Sequence, residues 1–255
     1  MKPRTLFVVA DDGGLSPEVD AGILDCVRAG SVRSVDLFVN PPFEPDPDAL
    51  SAAGAGLGLH LNLTHGRPCA GAEEVGSLLD GRGALVGERA TLLAQFRLRD
   101  AELECRRQVR RFYKLVGHAP CHLSFHKHLH AHDRRLLRLG MELARECGAV
   151  LRTVDAATRG FCRSRGVPTT DRFLGEVRPA PYWTLGRLTE QLAGVGAGTT
   201  ELMCHPGRGV KPIDGLWYLC ERDTERETFC SREGRLLLAA FRCAPCTAAT
   251  CGGRV

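Results

Sequence analysis

Residues 5–17 read TLFVVADDGGLSP, and this stretch decides the fold. The apolar run 5–10 is typical of a buried strand, and the pair Asp11–Asp12 ends it. Gly13 and Gly14 predict a turn, and Ser16–Pro17 supplies the cap and first-turn proline with which helices begin. A buried strand that leads directly into a capped helix is the unit from which parallel α/β sheets are built.

The same alternation continues along the chain. Further strands are predicted at 34–39, 57–63, 121–125, 150–154 and 199–204, and amphipathic helices at 100–117, 133–147, 184–193 and 221–241. This pattern predicts an α/β fold with a parallel sheet and outer helices, either a (β/α) barrel-like fold or an open doubly wound sheet. We expect one domain over residues 1–243 and a disordered tail over 244–255.

Composition excludes several classes of partner. The 255 residues carry a net charge of +4, which is too small an excess to indicate nucleic acid binding. The basic positions of 106–114 are interpreted as a solvated helix face. The first apolar run is too short for a signal peptide, and none approaches the length of a membrane helix, so we expect no membrane partner and a cytoplasmic protein. The 12 cysteines are expected to be reduced thiols.

Polar residues lie where the predicted strands end. Asp11 and Asp12 end the first strand, His126 ends a later one and His205 ends the last. In LGLHLNL, four leucines share one face of a strand, and His60 lies on the other. The carboxyl ends of parallel strands meet at one rim, so these residues are expected to lie together there.

Two histidines and one carboxylate are a common ligand set for a catalytic divalent metal. A single strand histidine is more often a core residue than a ligand, but four histidines within 126–132 favour a metal. From its direction on the strand, His126 is expected to be the only ligand of the four. His122 is interpreted as a positioning residue and His132 as a surface residue. Such ligands suit Zn²⁺, Mn²⁺, Co²⁺ or Ni²⁺.

Several blocks, in order, resemble the YdjC-like carbohydrate deacetylases. They are VVADDGGLSPEVDAGIL (8–24), LGLHLNLTHGRP (57–68), HLSFHKHLHAH (122–132), TTDRFLG (169–175), YWTLGRL (182–188) and ELMCHPG (201–207), within a resemblance over residues 4–240. The resemblance implies a (β/α) barrel-like fold and a hydrolase that removes acetyl groups from N-acetylated sugars such as N-acetylglucosamine units. Three features depart from the family pattern: Gly13 replaces a usual aromatic, Asp133 a usual proline, and family character is lost after about Arg242.

The resemblance also implies roles for the site residues. It implies a metal, often Mg²⁺, held by Asp12, His60 and His126, with Asp11 as the catalytic base and His205 as the acid. The remaining candidates are expected to bind substrate or to support the ligands: Asn62, His128, His130 and Asp171.

Two alternatives to sugar deacetylation stay open at this point. The same residues would serve a related amidase that acts on another amide, because such a site encodes neither the acyl group nor the amine. A non-catalytic sugar-binding barrel is the second alternative, since Gly13 alters the loop that carries Asp11 and Asp12. The expected partner is a small-molecule or oligosaccharide substrate, and the sequence does not distinguish a monomer from a homodimer.

Overall fold

The computed structural model of the protein describes residues 3–178, 180–213 and 215–251. Its strands are β1 (Arg4–Gly13), β2 (Ser34–Leu37), β3 (Gly56–Leu61), β4 (His122–Phe125), β5 (Val150–Leu151), β6 (Arg172–Leu174), β7 (Gly198–Cys204) and β8 (Arg242–Cys243). Its helices are α1 (Pro17–Arg28), α2 (Pro47–Ala52), α3 (Arg89–Gln95), α4 (Leu98–Val116), α5 (Leu129–His132), α6 (Arg134–Cys147), α7 (Ala156–Arg163), α8 (Leu185–Ala193), α9 (Glu221–Cys230) and α10 (Arg232–Ala239). Single 3₁₀ turns lie at Gly76–Leu78 and His126–His128.

The strands form one parallel sheet that curls into a half-barrel. Their order is β5-β4-β3-β2-β1-β7-β6, and each of these pairings is parallel. The short strand β8 pairs with the first half of β1, below the point where β2 begins. β5 and β6 are the free edges, so the described part of the sheet does not close. The predicted barrel-like α/β fold is confirmed.

Helix ends follow the signals in the sequence. The Ser16 hydroxyl accepts a hydrogen bond from the Val19 amide at the start of α1, and Asp133 caps α6 in the same way. Gly117 ends α4 in a left-handed conformation, at the predicted end of helix 100–117, but α4 begins two residues before the predicted start, at Leu98. The predicted helix 221–241 is instead two helices, because the extended backbone of Ser231 ends α9 and its side chain caps α10. Five elements, α2, α5, α7, β6 and β8, were not predicted.

The two faces of the sheet differ in what they bury. Leu6, Val8 and Ala10 lie on the outer face with the apolar sides of the helices. Phe7 and Val9, which alternate with them, form a smaller cluster inside the half-barrel.

The residues that follow β8 pack into this inner cluster. Ala244 and Cys246 are buried in it, and the Cys246 amide donates to the Ser34 hydroxyl at 2.8 Å. The packed structure therefore continues beyond residue 243, where the sequence predicted a disordered tail. The last four residues of that tail, 252–255, lie outside the described residues.

Three further observations concern membrane-spanning helices, the cysteines and the basic face of α4. No helix of the described chain is both long and apolar enough to cross a membrane. All the cysteines are free thiols. On α4, Arg106 pairs with three glutamates, Glu102, Glu142 and Glu146, which neutralises part of its basic face.

Candidate active site

An open cleft of about 1140 Å³ lies over the carboxyl ends of the strands. The residues at its base, here called the cleft floor, are Asp11, Asp12, His60, His126 and His205. The residues around its sides, here called the cleft wall, include Phe173, Glu176, Val177, Tyr182 and Trp217. The structure thus brings together the five residues of the sequence-predicted chemical site.

A β-bulge lets both aspartates face the cleft. Along β1, Ala10 lies opposite Val35 but Gly13 lies opposite Leu37, so one extra residue is inserted between them. Asp12 lies within this bulge and has a φ of 67°. Aspartate tolerates this left-handed conformation better than most residues. In a regular strand, Asp11 and Asp12 would point to opposite faces.

The two candidate histidine ligands are each held by a hydroxyl. His60 on β3 contacts the Ser124 hydroxyl through Nδ1 at 2.6 Å. His126, directly after β4, contacts the Thr64 hydroxyl through Nδ1 at 2.7 Å. The ring centroids of the two histidines are 5.6 Å apart. Both contacts leave Nε2 as the atom that can bind a metal.

On the cleft floor, the imidazole of His60 lies close to the carboxylates of both aspartates. Nε2 of His60 lies 3.5 Å from Oδ1 of Asp12 and 3.7 Å from Oδ2 of Asp11. Oδ1 of Asp12 is buried and has no hydrogen-bond partner within the described structure. Buried acceptors without a donor are costly unless a cation lies between them. The facing pair of Asp12 and His60 therefore fits the divalent metal that the resemblance implies, and His126 lies beside them, with its ring centroid 5.6 Å from that of His60.

Another grouping of possible ligands fits less well. One ligand atom each from Asp11, Asp36 and His60 lie within 4.8 Å of one another. Both oxygens of Asp36, however, lie 2.9 Å from Nδ1 of His122, and one also accepts from the Ser124 hydroxyl. We therefore favour Asp12, whose Oδ1 is unpaired, over Asp36 as the carboxylate ligand.

Two buried arginines hold the aspartates. Arg152 donates to both oxygens of Asp11, at 2.5 and 2.7 Å. Arg222 on α9 donates to Oδ2 of Asp12 at 2.5 Å. Burial opposes the ionisation of Asp12, but Arg222 and the neighbouring histidines lower its pKa well below the usual value. Both carboxylates are therefore held in fixed orientations.

His205 directly follows β7, so it lies on the opposite side of the cleft floor from His126, which directly follows β4. Its Nε2 is 4.0 Å from Oδ2 of Asp11, and its amide donates to Glu225 at 2.6 Å. Tyr218 also donates to Glu225 and packs edge-on against the His205 ring, with 5.7 Å between centroids. Burial lowers the pKa of His205 to about 4 and raises the pKa of Glu225 to about 7.

The expected substrate-binding residues divide into two groups. His128 lines the cleft, with its ring edge-on to Phe173. The other three lie away from the cleft lining: Nε2 of His130 contacts the Arg152 carbonyl, Asn62 donates to Asn40, and Asp171 accepts from Thr199. These three residues do not line the cleft, and their binding to substrate stays a prediction. The exposed His132 agrees with its interpretation as a surface residue.

Sequence reasoning did not single out the charged partners of the site. Asp36 lies in the predicted strand SVDLFV and Arg152 in VLRTV, and an isolated charge within an apolar strand was the signal available for both. Arg222 and Glu225 carried no such signal, because charged residues are ordinary on a helix that also has a solvent face.

Comparison with known proteins gives the family. Residues 5–240 match the model of the YdjC-like protein family. The chain belongs to this family. The family assignment agrees with the signature blocks in the sequence and with the placement of their polar residues on one rim.

Individual relatives cover most of the chain. A carbohydrate deacetylase of Mus musculus is 32% identical over 253 residues, covering 84% of this chain and 81% of its own. A carbohydrate deacetylase of Geobacillus stearothermophilus is 31% identical over 226 residues, covering 88% and 87%. A crystal structure from Enterococcus faecalis, named for cellobiose-phosphate cleavage, superposes with a TM-score of 0.81 at 24% identity, over 97% of this chain and 98% of its own. That structural likeness supports the fold.

Proposed function

We propose that this protein is a metal-dependent hydrolase that removes the acetyl group from an N-acetylated sugar. The observation that carries the proposal is the cleft floor, where the unpaired Oδ1 of Asp12 lies 3.5 Å from Nε2 of His60, beside Asp11, His126 and His205. The family relatives named carbohydrate deacetylase support the choice of an acetylated sugar as substrate.

Asp12, His60 and His126 would hold the metal through one carboxylate oxygen and two Nε2 atoms. When bound, a divalent metal polarises an amide carbonyl and makes water a stronger nucleophile at neutral pH. Three ligands leave positions open for water and substrate, as catalytic sites require. Mg²⁺ is the family expectation, whereas two imidazoles also suit Zn²⁺, Mn²⁺, Co²⁺ or Ni²⁺.

Asp11 is placed to act as the base. Its oxygens lie at the open floor of the cleft, and Arg152 prevents the carboxylate from rotating. Water attacks the acetyl carbonyl carbon while Asp11 accepts a proton from it. The carbon–nitrogen bond then breaks, which gives the free amine of the sugar and acetic acid, and the acid releases its proton to solvent as acetate.

His205 delivers a proton to the leaving nitrogen. With a pKa of about 4, it is neutral near pH 7, so it must gain that proton during the reaction. Oδ2 of Asp11, 4.0 Å from Nε2 of His205, is the nearby donor once it has accepted the proton of water. A single proton thus passes from water through Asp11 and His205 to the amine.

The cleft wall suits a sugar. Phe173, Tyr182 and Trp217 present aromatic surface, and Glu176 adds a carboxylate. Pyranose rings have apolar faces and polar edges, which match a wall of aromatic groups with a few polar atoms. The cleft is also open to solvent, so a longer saccharide can extend out of it.

Acetate release provides the test. The purified protein should release acetate from diacetylchitobiose, lose this activity after chelation, and regain it with one of the five candidate metals. Elemental analysis of the untreated protein identifies the metal it carries. N-acetylated amino acids and N-formylated glucosamine serve as the comparison amides. Turnover of these amides with none on acetylated sugars would favour the related amidase. Bound metal without turnover of any amide would favour a sugar-binding barrel.

A further inference from the structure

A chain of buried charges lies inside the half-barrel, directly below the cleft floor. We call Asp36, His122, Glu201 and Arg152 the buried charge chain; each is 0% exposed. Nδ1 of His122 lies 2.9 Å from both oxygens of Asp36, and its Nε2 lies 3.4 Å from Glu201. Arg152 donates through Nε to the other oxygen of Glu201 at 2.5 Å. These residues come from β2, β4, β7 and the end of β5.

The missing side chain of Gly58 makes this contact across the sheet possible. Asp36 on β2 and His122 on β4 are separated by β3, so their backbones are about 10 Å apart. Asp36 lies opposite Gly58 in the β2–β3 register. A Cβ at Gly58 would lie 2.0 Å from Oδ1 of Asp36. Any side chain at position 58 would therefore displace the carboxylate from His122.

Charge balance requires His122 to be an imidazolium. It lies between two buried carboxylates, with one ring nitrogen facing each. Burial alone would lower the pKa of His122, but Asp36 and Glu201 raise it to about 10. A protonated ring donates to Asp36 and faces Glu201 as an ion pair at 3.4 Å, whereas a neutral ring would leave one carboxylate facing a lone pair. His122 therefore serves as a fixed cation rather than as a metal ligand.

One branch of the buried charge chain, here called the metal arm, leads from Asp36 through Ser124 to His60. The Ser124 hydroxyl donates its single proton to Asp36, which as a carboxylate can only accept. The Ser124 oxygen must then accept from Nδ1–H of His60. This direction leaves the Nε2 lone pair of His60 aimed at Asp12 and Asp11. His60 is thereby held in the tautomer that a metal ligand needs.

The other branch, here called the base arm, leads from His122 through Glu201 and Arg152 to Asp11. Glu201 fixes the Nε edge of Arg152, and the remaining two nitrogens of Arg152 hold both oxygens of Asp11. We propose that the Asp36–His122 pair positions both halves of the site: through Ser124 it orients His60 toward the metal, and through Glu201 and Arg152 it orients the base Asp11. The inference rests on the proposed function for the roles of His60 and Asp11, and it predicts a different defect for each arm.

The metal arm is tested with Ser124→Ala in the full-length protein. Zn²⁺ titrated into metal-free protein by calorimetry should bind about 10–100-fold more weakly than in the wild type. Ser124→Thr keeps the hydroxyl and should restore affinity. Thr200→Val is the matched control, because it removes a buried hydroxyl that has no hydrogen-bond partner in the described structure. The metal-free Ser124→Ala protein should unfold at a lower temperature than Thr200→Val, because it leaves partners of Ser124 unpaired, and both should be folded at the temperature of the titration.

Nitrogen NMR of the metal-free wild type gives a second readout of this arm. A neutral His60 should carry its proton on Nδ1, and Ser124→Ala should shift it toward Nε2. Wild-type Zn²⁺ affinity in Ser124→Ala, or a wild-type His60 protonated on Nε2, would overturn this arm of the proposal. Neither readout needs a substrate, so the result stands apart from any failure of the deacetylase assay.

The base arm is tested with Glu201→Gln. A glutamine presents one amide oxygen, so it can satisfy Arg152 or His122 but not both. Zn²⁺ affinity should stay near that of the wild type, while kcat falls by about 100-fold at an unchanged KM, because a small displacement of Asp11 affects only the chemical step. Loss of metal binding in Glu201→Gln, or an unchanged kcat, would contradict the separate roles of the two arms.

Discussion

The cleft floor and the cleft wall differ in the type, burial and position of their side chains. The floor is made of ionisable side chains at or next to strand ends, each held by a named partner and almost fully buried. The wall is made largely of apolar and aromatic groups outside the central strands, and Trp217 is 56% exposed. Rigid parallel strands fix the reacting atoms, while the wall is free to vary in shape. We therefore expect floor variants to alter metal binding or kcat, and wall variants to alter KM.

The largest effect is expected for His126→Ala. It removes a proposed ligand, so metal content should fall close to zero and acetate release should fall to the detection limit. His132→Ala, at an exposed position in the same histidine run, is the matched control and should keep both. Elemental analysis of the two variants, purified side by side, provides the measurement. Full metal content in His126→Ala would remove His126 from the ligand set.

A smaller but still large effect is expected for Asp11→Asn. The variant keeps the shape of the side chain and removes the base, so kcat should fall by about 10²–10⁴-fold with metal retained. Steady-state kinetics and elemental analysis on the same preparation measure both quantities. If Asp11→Asn emptied the metal site instead, Asp11 rather than Asp12 would be the carboxylate ligand.

The packing around the bulge predicts an effect on stability. A Cβ at Gly13 would lie 2.7 Å from Leu37 and 2.9 Å from Val35. Gly13→Phe, which introduces the residue type usual in the family, should lower the free energy of unfolding by about 1–3 kcal/mol through overpacking. Urea unfolding measures the change, and Gly81→Ala provides a control for loss of a glycine that, like Gly13, has no positive φ but has open space around it. A Gly13→Phe protein as stable as the wild type would show that the bulge adapts.

The smallest effect is expected in the cleft wall. Trp217→Ala should raise KM for diacetylchitobiose by about 2–12-fold, which corresponds to the 0.5–1.5 kcal/mol typical of an aromatic contact. Its kcat and metal content should stay near wild type, because Trp217 is 56% exposed and its ring packs against Tyr218. A matched change at another exposed apolar position, Leu236→Ala, should leave KM unchanged. A fall in kcat for Trp217→Ala would mean that the wall also orients the reacting amide.

Much of the fold could be predicted because its signals are local. The apolar run before Asp11, the capping residue Ser16 and the terminal Gly117 each act within a few residues of the element they define. The break at Ser231 could not be predicted in this way, because residues 221–233 contain no glycine or proline to mark the end of a helix. The packing of Ala244 and Cys246 was missed for a different reason: their partners Phe7 and Val9 lie more than 200 residues away in the chain.

The sequence by itself determined that the polar residues end successive strands, and a parallel sheet then requires them to share a rim. Only the tertiary structure decided which atoms of Asp11, Asp12 and His60 remain free to react. The bulge that turns both aspartates inward depends on the register between β1 and β2, and the orientation of His60 depends on Asp36 reaching across Gly58. Such relations join residues on different strands, so they exist only once the sheet has formed.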